Sequence, residues 1–213
     1  MGAPLQADAA ERSTQVRTVL HVGCGVYASE KLHPVFRDGT WRELRMDLDS
    51  RVKPDIVGTI TDLSVFREGS VEAIWSSHNV EHLYDHEVPK ALAEFRRVLK
   101  PTGFALITTP DIEAVAELVV QGKIDEVAYV SPAGPITAVD MLFGHRPSLK
   151  AGNAFMAHKT AFTANRLGRL LVEAGFERAV MQKGSHFDLW ALALMPESQP
   201  PATLLGEAVA AKP

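Results

Sequence analysis

Four short stretches of this chain carry residue types suited to holding a nucleoside. Gly23-Cys24-Gly25 lets backbone approach a ligand with no Cβ in the way. Asp47 can accept hydrogen bonds from both hydroxyls of a ribose, and Thr61-Asp62-Leu63 offers a carboxylate for an exocyclic amine beside an apolar wall for a base. Ser77, His78 and Asn79 supply polar side chains for the opposite side. His78, His82 and His86 recur at every fourth position with Glu81 among them, a spacing that on one helix suggests metal ligands. With Asp85 as an N-cap, however, the helix starts only after His82 and the three do not have to share a face, so no metal is expected. Cys24 reads as a small residue in a tight turn rather than a nucleophile.

The elements that must position these residues alternate along the chain. Short strands are predicted at Thr18 to Val22, Glu43 to Met46, Ile56-Val57, Val71 to Trp75, Phe104 to Thr108, Ala179 to Gln182 and Phe187 to Leu194. Between them, Val88, Ala91, Leu92, Phe95, Val98 and Leu99 recur at helical spacing within His86 to Leu99, and Pro101-Thr102-Gly103 is the expected stop. A second helix carries Leu167, Leu170, Leu171 and Ala174 and stops at Gly175. The alternation predicts an α/β fold: a doubly wound, mostly parallel seven-stranded sheet with helices on both faces and an antiparallel last strand. Ligands of such sheets lie beyond the carboxyl ends of the strands, where the four stretches above fall. Residues 111 to 160, broken by Ser131-Pro132-Ala133-Gly134-Pro135 and His145-Arg146-Pro147, read as a cap inserted over one end of the sheet. The expected organisation is one domain over residues 1–195 and a loosely ordered tail over 196–213.

Composition narrows the function classes. Hydrophobic residues at 46% and charged residues at 23% are globular proportions. Twenty-two Lys and Arg against 26 Asp and Glu give a net charge of -4, with no basic run to neutralise phosphates, so nucleic acid is not the expected partner. The longest apolar run, Leu189 to Met195, is too short for the roughly 20 residues that cross a bilayer, so no membrane partner is expected. A single cysteine and an N-terminus without an apolar signal segment lead to an expected cytoplasmic setting. Oligomeric state is not legible.

Several stretches together resemble the class I S-adenosylmethionine-dependent methyltransferases of the group called methyltransferase type 11. Val19-Leu20-His21-Val22-Gly23-Cys24-Gly25 is similar to the family's first motif, and Arg45-Met46-Asp47-Leu48-Asp49 to its ribose-binding acidic motif. Ser76 through Leu83 (SSHNVEHL), followed by Phe95-Arg96-Arg97-Val98-Leu99-Lys100-Pro101, resembles its most recognisable block, and Phe162 to Phe176 its late helix. The resemblance implies a Rossmann-like methyltransferase fold and S-adenosylmethionine as cofactor, with S-adenosylhomocysteine as product. It also implies cofactor contacts from Gly23, Cys24, Gly25, Asp47, Leu48, Ile60, Thr61, Asp62, Leu63, Ser77 and His78. Three positions depart from the pattern: His21 and Tyr27 replace an acidic residue and a third glycine, and Gly58-Thr59 replaces Gly-Asp, leaving Thr59 or Asp62 for the adenine amine. The implied reaction is in-line methyl transfer to an O, N or C atom of a small-molecule acceptor. His145 and His158 are the candidate bases, His186 a further one, and Asp111 and Tyr129 candidate acceptor contacts. Trp75 and Trp190 read as packing.

Two rival readings compete. Gly23, Gly25 and Ala28 also satisfy the dinucleotide fingerprint Gly-x-Gly-x-x-Gly/Ala, with Asp47 as ribose acid, as in a nicotinamide-dependent oxidoreductase. A dinucleotide needs a helix N-terminus aimed at its pyrophosphate, and Pro34 interrupts any helix after Ala28, so the methyl donor is preferred. The other rival is a non-catalytic cofactor-binding homologue, to which His21, Tyr27 and Thr59 lend mild support.

Overall fold

The structure, a computed structural model, describes residues 16–201 and 203–204. Its elements in chain order are β1 (Arg17–Val22), β2 (Trp41–Asp47), β3 (Ile56–Val57), β4 (Val71–Ser77), α1 (Val88–Val98), β5 (Leu99–Pro110) and α2 (Ile112–Val120). Then come β6 (Val127–Ser131), β7 (Gly134–Thr137), α3 (Ala138–Phe143), α4 (Arg146–Lys150), α5 (Ala164–Glu173), β8 (Arg178–Lys183) and β9 (Asp188–Leu194). Seven strands form one sheet in the order β3-β2-β1-β4-β5-β9-β8. β1 to β5 pair in parallel, and β9 runs antiparallel to both β5 and β8. The chain therefore reverses its order between β1 and β4, the place where such sheets open a crevice. The seven strands and the antiparallel last strand agree with the sequence expectation.

Alternation along the central strands divides the core into two layers. Leu20, Val22, Ile74, Ala105 and Ile107 face α1 and α5, where Ala91, Leu92, Phe95, Leu167 and Leu171 are buried against them. Fully burying each Leu, Ile or Phe there stabilises by about 1.5–3 kcal/mol, which is what holds α1 to the sheet. Val19, Ala73, Trp75, Phe104 and Leu106 face the other way and are covered by Leu32, Phe36 and Leu204. Helices were expected on both faces, but this second cover uses two short 3-10 turns, Ser29–Lys31 and Pro34–Phe36. Pro34 opens the second turn, and its missing N–H prevents an α-helix from running through.

Two local boundaries also differ from expectation. Asp85 does not cap α1: it opens a 3-10 turn, Asp85–Glu87, and its side chain pairs with Arg166 and takes the Thr160 hydroxyl at 3.2 Å. Pro101-Thr102-Gly103 is not a helix stop but an irregularity within β5, where pairing with β4 shifts register between Val71 and Ala73. The segment between β5 and α5 has a small core of its own, in which Val115, Ile136, Ala138 and Met141 are buried. Of the tail expected to be loosely ordered, the described part is docked: Glu197 N–H donates to the Pro101 carbonyl at 3.0 Å and Leu204 is buried. Residues 1–15, 202 and 205–213, including the rest of that expected tail, lie outside the described residues. Among the described residues no helix is long and apolar enough to cross a membrane.

Candidate functional site

The carboxyl ends of β1, β2 and β4 frame a cleft of about 270 Å³. Gly23 and Gly25 come directly after β1 with φ of +62° and +61°, a left-handed turn that favours glycine. A Cβ on Gly23 would stand 2.6 Å from Asn79 Cγ, so the turn and the loop after β4 approach as closely as they do only because Gly23 has no side chain. Asp47, at the end of β2, locks the same turn: Oδ2 accepts the Gly25 N–H at 2.8 Å and Oδ1 accepts the Asp49 N–H at 2.8 Å. Each oxygen still has a free lone pair for a ribose hydroxyl. Arg45 braces the turn from outside, donating to the Gly25 carbonyl at 2.5 Å.

Of the residues expected to meet the cofactor, Gly23, Gly25, Asp47, Leu48, Ile60 and His78 line this cleft, whereas Cys24, Thr61, Asp62, Leu63 and Ser77 do not. Leu63 is fully buried in the main core and cannot be the apolar wall. The Glu94–Arg97 pair of α1 holds it there: Glu94 accepts the Leu63 N–H at 2.7 Å and Arg97 donates to the Leu63 carbonyl at 2.9 Å. Asp62 accepts the Ser64 N–H at 3.0 Å, Thr61 pairs with Thr59 at 2.9 Å, and Ser77 pairs with Thr108 at 3.3 Å. Cys24 is buried, and loss of solvent pushes its thiol up to about 11. Between Thr59 and Asp62, the alternatives for an adenine amine, only Thr59 reaches the cleft. Met46, Asn79, Phe155, Met156 and Lys159 also line it. Asn79 was expected on this side from the sequence and Met46 adjoins Asp47, but Phe155, Met156 and Lys159 come from the segment before α5 and carry no local signal.

The cleft fits an adenosyl group on the structure's own terms. The glycine turn leaves room that a Cβ would fill, the Asp47 carboxylate faces the opening, and Asn79 Nδ2 is buried there without a hydrogen-bond partner. It does not favour a dinucleotide. After Ala28 the chain forms a 3-10 turn, not an α-helix whose N-terminus could receive a pyrophosphate.

A second cavity, of about 440 Å³, adjoins the first and shares His78, His82 and Met156 with it. Its walls are mostly apolar, with His145, His158, His186 and Tyr129 among them. Both candidate bases thus face one space, as does His186, whereas Asp111 does not. Asp111 is buried beneath α2, where Oδ1 accepts the Glu113 N–H at 3.1 Å as an N-cap, which explains it structurally. Trp75 and Trp190 pack on each other at 5.9 Å, as expected. His145 is placed by its neighbours. Buried Asp140 accepts from Arg146 N and Nε, both at 3.0 Å, and from Thr137 N at 3.0 Å, fixing the start of α4. Burial works against the Asp140 charge, but these donors outweigh it and hold the carboxyl far below the usual range. His145 Nδ1 pairs with Ser148 Oγ at 2.8 Å, leaving Nε2 buried and unpartnered.

Beside the shared residues His78 and His82 lie buried Glu81 and, on the larger cavity, His158. The chain brings them together because Lys159 and Thr160 donate backbone N–H groups to the Glu81 carbonyl at 2.8 and 3.2 Å. His78 sits at φ +47°, a strained backbone position for a non-glycine residue, with Nδ1 3.3 Å from Glu81 Oε1. Burial opposes charge on both, yet their mutual attraction raises His78 and lowers Glu81 relative to their ordinary values. Burial lowers His158. His86 leaves the group and stacks on Tyr84 at 5.9 Å.

Residues 20–107 match a family model described as a methyltransferase domain. Solved structures similar to the chain include a SAM dependent methyltransferase from Archaeoglobus fulgidus, at 15% identity and TM-score 0.53 over 81% of this chain and 66% of that one. The PH0226 protein from Pyrococcus horikoshii gives 16% identity and TM-score 0.59 over 86% and 84%. A Burkholderia thailandensis 1,6-didemethyltoxoflavin-N1-methyltransferase, solved with 1,6-didemethyltoxoflavin and S-adenosylhomocysteine, gives 15% identity and TM-score 0.50 over 83% and 68%. At these identities the likeness speaks to the fold. No curated protein sequence matches the chain. The matched stretch runs from within β1 to within β5, and the seven-stranded sheet with its antiparallel β9 gives the chain a Rossmann-like methyltransferase fold.

Proposed function

We propose that the protein transfers a methyl group from S-adenosylmethionine to a small-molecule acceptor held in the larger cavity. The observation that carries this reading is the wall shared by the two cavities, His78, His82 and Met156, which sets a nucleoside-sized cleft directly beside a larger, mostly apolar space. S-adenosylmethionine, when bound, supplies an electrophilic methyl group on a sulfonium. The chain's own residues hold and orient it: Asp47 takes the ribose hydroxyls, Leu48 and Ile60 flank the adenine, Thr59 meets the adenine amine, and the Gly23–Gly25 turn and Asn79 accommodate the methionine part. Residues 111–160 act as a cap that excludes water, and a cavity of this size and lining favours a small organic acceptor over a polymer. Where the acceptor must lose a proton, His145 receives it, a residue of the cavity wall whose Nε2 has no hydrogen-bond partner.

Calorimetric titration with S-adenosylmethionine, S-adenosylhomocysteine and a nicotinamide dinucleotide, side by side, tests the reading. Saturable binding of the two adenosyl ligands without the dinucleotide is expected. Binding of the dinucleotide alone would overturn it.

A further inference from the structure

We infer that Glu81, His82 and His158 form a binding site for one divalent first-row transition ion, of which Zn²⁺ is the probe, at the wall shared by the two cavities. A ligand atom from each residue lies within 4.8 Å of the others. Glu81 is only 1% exposed; His78 Nδ1 approaches Oε1 at 3.3 Å, but neither carboxylate oxygen has a well-formed hydrogen bond. A carboxylate in that position carries a large desolvation cost unless a cation or donors compensate it.

The two imidazoles do not supply donors from their Nδ1 atoms. His82 Nδ1 donates to the Ala157 carbonyl at 3.0 Å and His158 Nδ1 to the Met141 carbonyl at 2.8 Å. A carbonyl only accepts, so both rings are fixed with hydrogen on Nδ1, and each neutral ring keeps its Nε2 lone pair free. Orientation of a histidine by its other nitrogen is the outer-shell arrangement of metal-binding imidazoles. Two imidazoles and one carboxylate suit a transition ion and leave coordination positions open. His82 and His158 both line the larger cavity, so those positions face the space assigned to the acceptor, and an acceptor with a ligating heteroatom could occupy them. The competing arrangement is a proton on His78, 3.3 Å from Glu81 Oε1, or on one Nε2, either of which compensates Glu81 without metal. A bound ion here would reverse the sequence-based expectation of no metal. The site's use in methyl transfer rests on the proposed function; its existence does not.

The test is titration of metal-free, full-length protein with Zn²⁺ and, separately, Mg²⁺. One Zn²⁺ per chain is expected, with no saturable Mg²⁺ binding. His158→Ala and Glu81→Gln should each weaken Zn²⁺ binding at least about tenfold, the lower end of what even outer-shell losses cause, while His86→Ala, outside the cluster, should bind as the parent does. Circular dichroism checks that each variant is folded, and Co²⁺ loading of the parent, read by visible absorption and displaced by Zn²⁺, needs no variant. Absence of saturable Zn²⁺ binding, or equal binding by folded His158→Ala and Glu81→Gln, would overturn the site. S-adenosylhomocysteine titration of the same metal-free protein separates the two readings. Adenosyl binding without Zn²⁺ binding removes the metal and leaves the methyltransferase, whereas the reverse keeps the metal and removes the cofactor assignment.

Discussion

Asp47 Oδ2 accepts the Gly25 backbone N–H at 2.8 Å, so the carboxylate proposed to hold the ribose also fixes the turn that receives the rest of the cofactor. Asp47→Ala removes both functions. Calorimetry should show S-adenosylmethionine binding weakened by more than about tenfold, the scale of lost charge-assisted hydrogen bonds. Unchanged affinity would end the ribose role.

His145 can be separated from the cofactor cleft, since it lines only the larger cavity. His145→Ala should lower turnover by about 10²-fold or more for an acceptor that must lose a proton, the range of general-base contributions. S-adenosylhomocysteine affinity should stay within about twofold of the parent. A parallel loss of cofactor affinity would show a folding defect instead.

Stability should depend on pH through Asp140. Its carboxyl is held below the ordinary value in the folded state, so its contribution is fully present above the unfolded value of about 4 and is lost as pH falls through the folded one. Thermal melts between pH 7 and pH 2 should show the parent losing stability on acidification. Asp140→Asn should melt lower at pH 7 and lose less on the way down. Parallel pH profiles for the two proteins would count against this account.

Much of the frame was legible. The glycine pair, Asp47 and the helix face of α1 declare themselves through local sequence, because strand, turn and helix periodicities are short-range properties. Leu63 shows the limit: an apolar residue after a strand reads equally well as a ligand wall or a core wedge, and only the distant Glu94–Arg97 pair decides for the wedge. Asp85 fails as a cap for a related reason. Its partner, Arg166, lies 81 residues away. The Glu81, His82 and His158 group was not visible for the same cause, since no periodicity links residue 81 to residue 158.

Gly144 should tolerate no side chain. It has φ +101° and ψ 160°, a region essentially confined to glycine, and an added Cβ would run into the Met156 carbonyl. Gly144→Ala should destabilise the protein by about 1–3 kcal/mol from backbone strain alone, with overpacking in addition, as read by urea denaturation. It should also disturb His145, the next residue.

The wall shared by the two cavities carries a thermodynamic consequence. If a ligand in one cavity orders His78, His82 or Met156, the other cavity meets a side chain whose ordering cost has already been met. Linkage then requires that the nucleoside ligand and the acceptor alter each other's affinity by the same factor, whichever arrives first. An acceptor screen run with S-adenosylhomocysteine present samples a differently poised cavity from one run without it.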